Sequence, residues 1–181
     1  MKRKIKTRHE VFDYIMREGI CTLYKTGVPG VPSLWDVVDL PDTKPNGRGF
    51  GERVSAIWGW KDQLPQEFTE EIFYGKIKGG SAVLMSTDYL KNVHYPAHHR
   101  PVDSCRELAR QIFELVRLDE WATGPLRREC MDRYRCTRSR FDGALKELQI
   151  TLNMVRSNEP GTKRDTWLRF EEVYLDVLEL P

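Results

Sequence analysis

With 181 residues, 40% of them hydrophobic and 31% charged, the chain can bury a core, and its composition excludes disorder as the default state. A formal charge of +2 excludes a surface that is basic all over, so any footprint for a polyanion has to be local. The cysteines (Cys21, Cys105, Cys130, Cys136) form no Cys-x-x-Cys pair, MKRKIKTRHEVF lacks an apolar leader, and no apolar run approaches the ~18 residues of a membrane span; these features predict a cytoplasmic protein with reduced thiols.

In chain order, Lys2, Arg3, Lys4, Lys6 and Arg8 form a basic arm, read either as a phosphate contact or as a solvated terminus. Val11, Phe12, Ile15 and Met16 fall at helical spacing, predicting a helix from Thr7 to Glu18 that Gly19 ends. ICTLYKT reads as a strand, Gly27 to Pro32 as a turn, and Ser33 as the N-cap of a short helix through Val38. A Pro- and Gly-rich loop follows over 40–51. Pro65 closes a segment carrying Trp58 and Trp60, residues 69–75 suit a helix or a strand, and SAVLMS is a buried strand. Thr87 to Tyr95 is predicted helical with Tyr89, Leu90 and Val93 inward, and HYPAHHRP is a linker that divides the chain into domains at 1–100 and 101–181.

From Val102 the pattern becomes cleanly helical. Asp103 or Ser104 caps a helix whose stripe is Leu108, Ile112, Leu115, Val116 and Leu118. Gly124-Pro125 opens the next helix, with Pro125 at N1 and Leu126 and Met131 as its apolar contacts. Thr137 or Ser139 caps a third, with Phe141, Leu145 and Leu148 inward. Ile150, Leu152 and Met154 alternate as one face of a strand, SNEPGTK turns, RDTWLRF returns, and the tail adds a short helix. The expected fold class is α+β: a C-terminal winged helix, three helices plus a β-hairpin wing, packed on a smaller N-terminal α+β unit that is itself open to a winged-helix form.

That order of elements is widely used for nucleic-acid binding, and the charge sits where such use requires it. Residues 124–164 hold ten basic and five acidic side chains, a local balance of +5. The candidate DNA contacts are Arg127, Arg128, Arg135, Arg138 and Arg140 around the second and third helices, with Lys163 and Arg164 at the wing. Trp58 and Trp60, beside Lys61, are candidates for stacking on an unpaired base, against a core role for both. His94, His98 and His99 cluster in sequence, but no further ligand completes a metal site, so no metal and no cofactor is expected. Cys130 and Cys136 lie among arginines that could lower a thiol pKa. No nucleophile elbow, phosphate loop or dinucleotide fingerprint is present.

PSLWDVV (32–38), WGWKD (58–62), FYGKIKGG (73–80), the following LMSTDYL, and GALKELQ with its wing together resemble the AlkZ-related winged-helix proteins, across roughly residues 30 to 175. That family is related to bacterial DNA glycosylases that release bulky alkylated bases and unhook interstrand crosslinks. The resemblance implies winged-helix units and double-stranded DNA, intact or damaged, as partner. It also implies a Gln-x-Gln or Gln-x-Asp motif that positions the hydrolytic water in the active enzymes. Here Gln63, Gln66, Gln111 and Gln149 are followed two residues on by Pro65, Phe68, Phe113 and Thr151, so the fold and the partner carry over and the chemistry does not. The expectation is a non-catalytic DNA-binding protein. The alternatives are a minimal glycosylase using Asp62 or Glu52 beside the tryptophans, and a protein–protein module.

Overall fold

The computed structural model describes residues 4–26, 28–44, 49–160 and 165–178. Lys2, Arg3, Gly27, Lys163 and Arg164, named above, lie outside the described residues. The chain is α+β; its described residues form two three-stranded sheets, and its contacts divide it into two compact units: residues 1–74 with 81–89, and residues 75–80 with 90–181.

In the first unit, Thr7 caps α1 (Arg8–Glu18) in a capping box: its hydroxyl accepts from the Glu10 amide at 3.3 Å, and the Glu10 carboxylate accepts from the Thr7 amide at 3.0 Å. Gly19 closes α1 at φ 78°, where an added Cβ would stand 2.6 Å from the Tyr89 ring, so both conformation and space demand glycine. β1 (Ile20–Thr22) follows. Ser33 caps α2 (Leu34–Val37), its hydroxyl accepting from the Trp35 amide at 3.2 Å. The tryptophan segment forms α3 (Glu52–Glu67), which runs past Pro65. A proline this near a helix end forfeits one hydrogen bond, and the Phe68 amide still reaches the Leu64 carbonyl at 2.9 Å. The ambiguous segment resolves as a turn over 69–71 and then strand: β2 (Ile72–Lys76) and β3 (Ala82–Ser86) complete a sheet of order β1-β3-β2, with Ile20 opposite Met85 and Thr22 opposite Val83. Ile5, Val11, Ile15, Leu34, Ile57, Trp60, Leu64 and Leu84 belong to the core of this unit.

The segment after β3 departs from the expected helix and linker. α4 (Thr87–Tyr89) passes into a π-helical stretch, Leu90–His94, and then α5 (Tyr95–His98), so the predicted linker is helical in its first half. A π turn holds more residues than an α turn, and the buried stripe follows Leu90 to His94 while Val93 is exposed.

In the second unit, α6 (Glu107–Leu118) starts after a 3₁₀ turn at Val102–Ser104, and neither Asp103 nor Ser104 caps it. Glu147 supplies the missing acceptor: its carboxylate takes the Arg106 amide at 3.1 Å and the Arg106 Nε at 2.6 Å. Leu108, Ile112, Leu115 and Val116 are buried as expected, but Leu118 is 76% exposed, because two residues beyond Val116 a helix has turned to its opposite side. β4 (Trp121–Ala122) leads into α7 (Thr123–Tyr134), which begins two residues before Pro125. Leu126 is buried with Cys130, four residues on, and the expected Met131 faces outward.

α8 (Arg138–Ile150) continues through Ile150, where the alternation predicts a strand. It ends on Leu152 at φ 56°: the Asn153 amide donates to the Leu148 carbonyl at 3.0 Å and the Leu152 amide to that of Gln149 at 3.3 Å, a Schellman-like closure with leucine in the usual glycine place. β5 (Met154–Arg156) and β6 (Thr166–Arg169) follow, then α9 (Phe170–Val173) and α10 (Leu175–Leu178). The sheet order is β4-β6-β5, antiparallel, with Trp121 opposite Trp167 and Val155 opposite Leu168. The core of this unit gathers Ile112, Leu126, Phe141, Leu145, Leu148, Met154 and Trp167.

Candidate functional site

α7 and α8 are joined by three residues, and each is specified locally. Arg135 sits in the left-handed region at φ 50°, ψ 37°, which turns the chain at the end of α7. Cys136 is buried and its thiol donates to the Cys130 carbonyl at 3.5 Å, pinning the turn to the core. Thr137 caps α8, its hydroxyl accepting from the Arg140 amide at 3.3 Å. Phe141, Ala144, Leu145 and Leu148 commit one face of α8 to the core, so Arg138, Ser139, Arg140, Asp142 and Lys146 are left on the exposed one.

The expected contacts differ in how tightly they are held. Arg127 is partly buried, pairs with Asp142 at 3.3 Å and lies over the Phe141 ring at 5.5 Å. Arg138 reaches the same carboxylate at 3.7 Å. Arg128, Arg135 and Arg140 are exposed, and among the described residues none has a carboxylate within 4 Å. An open hollow of about 680 Å³ beside α8 is lined by Lys76, Arg138, Ser139, Asp142, Gly143 and Lys146. Lys76 has no counterpart among the residues singled out from the sequence. It lies in another part of the chain, and nothing in a strand's alternation announces which helix its tip will meet.

The two tryptophans are separated by the fold. Trp60 is 8% exposed in the first unit's core, which removes it as a stacking surface, while Trp58 is 57% exposed. The Lys61 ammonium stands 4.4 Å from the Trp58 ring centre and 5.5 Å from that of Tyr74, and donates to Asp62 at 2.7 Å. Of the two alternative acid–base candidates, Asp62 accepts from Lys61 beside Trp58, and Glu52 lies ten residues earlier on α3, about 15 Å along the helix at its rise.

Burial pushes the Cys130 thiol up to about 12, with Cys136 and Glu129 adding to it, the reverse of arginine activation. His94 is buried and held down at about 4, first by burial and then by His98, whose ring is 4.5 Å away. No group of three potential metal ligands occurs among the described residues. Among them also, no helix is long and apolar enough to cross a membrane.

A protein-family model described as AlkZ related matches residues 5–166. No curated protein matches the chain.

Proposed function

The chain belongs to the AlkZ-related family, and from that premise we propose that its C-terminal unit is a winged helix that binds double-stranded DNA without acting on it. The observation that carries the reading is the α7–turn–α8 pair with its exposed arginines. A three-residue turn joins two helices, the second is followed by an antiparallel hairpin, and Arg128, Arg135 and Arg140 stand exposed around the turn without a neighbouring carboxylate among the described residues. In this reading α8 is the recognition helix and its first turn approaches the major groove. Arg138 and Arg140 contact phosphates or base edges there, Arg128 and Arg135 contact phosphates from the flank, and Arg127 shares the Asp142 carboxylate with Arg138. Lys163 and Arg164 are proposed at the wing.

The reading stops at binding because the glutamine motif of the related glycosylases has no match in this chain. Binding to duplex and alkylated duplex, followed by fluorescence anisotropy at a series of salt concentrations, tests it. Affinity should fall log-linearly with salt, and Arg138→Glu with Arg140→Glu should weaken binding and flatten that slope by about one unit per lost phosphate contact. Absence of binding to either duplex at low salt sinks the reading. Release of a base from the alkylated strand would replace it with the glycosylase.

A further inference from the structure

The hollow beside α8 is lined by side chains from two distant parts of the chain. Lys76 ends β2 and belongs, with the rest of residues 75–80, to the second unit; Arg138, Ser139, Asp142, Gly143 and Lys146 come from α8. Three cations face a single carboxylate, and that carboxylate is already shared by Arg127 and Arg138. Among the described residues neither Lys76 nor Lys146 has a carboxylate within 4 Å. Among the described residues, two ammonium groups therefore stand at one hollow without a carboxylate within 4 Å of either.

Their placement is specific. Gly80 has φ 91°, which favours glycine, and the Lys146 stem lies against the β2–β3 connection there: a Cβ on residue 80 would come 2.9 Å from Lys146 Cδ and displace it. Gly143 lines the hollow without a side chain, and the exposed Ser139 hydroxyl adds a donor to its lining. Burial and then the charge of Lys146 lower the Lys76 pKa, and the opposing fields of Asp165 and Asp142 are weaker. Like charges held together in a partly desolvated hollow are relieved by an anion.

We propose that Lys76 and Lys146, beside Arg138, form a phosphate-binding notch, in which one backbone phosphodiester of a bound nucleic acid is held by the two ammonium groups from the end of β2 as well as from α8. The identity of the anion as a DNA phosphate rests on the DNA-binding reading above; the notch itself does not.

Two measurements on the full chain separate them. Titration with inorganic pyrophosphate, followed by amide NMR, should shift Gly80 and Gly143, and the shifts should vanish in Lys76→Gln/Lys146→Gln. In duplex binding, that double variant should lose about one unit of salt slope rather than two, because both amines share one phosphate. Arg110→Gln, a charge loss on the exposed side of α6, should keep the native slope. Pyrophosphate binding by a protein that does not bind duplex would keep the notch and remove the DNA reading. Native duplex binding with an unchanged slope in the double variant would overturn the notch, as would pyrophosphate shifts that persist in it. Circular dichroism of the double variant checks that it is folded.

Discussion

Arg135 is a single residue on which local strain and proposed function pull apart. A non-glycine side chain in the left-handed region costs about 1–2 kcal/mol, and nothing in the core needs the exposed Arg135 side chain. Arg135→Gly should therefore hold or raise the melting temperature while weakening duplex binding, and Arg135→Val should lower the melting temperature; thermal melts and anisotropy on the same samples separate the two effects. His94 sets a pH dependence. Its folded pKa, about 4, lies below the ordinary 6.5, so between those values the unfolded chain binds a proton that the folded chain refuses. Stability should fall as pH drops from about 6.5 towards 4, and be insensitive to this group above that window. Urea midpoints across it should show the slope, and His94→Leu should flatten it. Trp60 and Trp58 give a third contrast: Trp60→Ala should cost about 3–5 kcal/mol as a core truncation, and Trp58→Ala, at an exposed site where the ring only covers the Lys61 ammonium, about 0.5–1 kcal/mol. Chemical denaturation distinguishes them directly.

At the scale of elements, the caps explain which helix starts are legible. Thr7, Ser33 and Thr137 each bond an amide within three residues, so sequence proximity is enough to find them. α6 is different, because its acceptor is Glu147, which is 41 residues away on α8. Asp103 and Ser104 look like caps but fall in the preceding 3₁₀ turn; no local rule identifies a cap borrowed through tertiary contact. Glu147→Ala should cost about 1 kcal/mol, with the loss appearing as earlier hydrogen exchange in the first turn of α6. Ile150 and Leu152 mislead for a related reason. Their alternation matches a strand, but the closing bonds to Leu148 and Gln149 carry the helix through Ile150 and place Leu152 in a left-handed turn. α3 is equally opaque: Gly59 and Pro65 break the usual helix signal, and burial of Ile57, Trp60 and Leu64 overrides it.

At the scale of the whole molecule, the charge balance is the governing quantity. A net +2 with +5 concentrated in residues 124–164 leaves the rest of the chain slightly acidic in sum, which favours that stretch for a polyanion. If α8 and its turn carry the binding, the salt dependence should follow substitutions in residues 127–146, and equal charge losses on α1, such as Arg17→Gln, should leave it unchanged. Arg17 is suited to that comparison because its charge is already paired with Glu18 at 2.9 Å.

The sequence by itself determined the α+β class, the family, the capped helices α1, α2 and α8, the strands β1, β3 and β6, and the region where basic charge accumulates. The family is legible through the resemblance of short segments such as WGWKD (58–62), and the rest depend on composition, on period, or on bonds between residues a few positions apart. Tertiary structure decided the rest. It buried Trp60 and exposed Trp58, turned Val93 and Met131 outward, and made Cys130 an inert core thiol. It also brought Lys76 to the hollow beside α8. The physical reason is the same throughout: whether a side chain is desolvated, paired or left facing solvent depends on what the fold sets against it, and those neighbours come from residues tens of positions away.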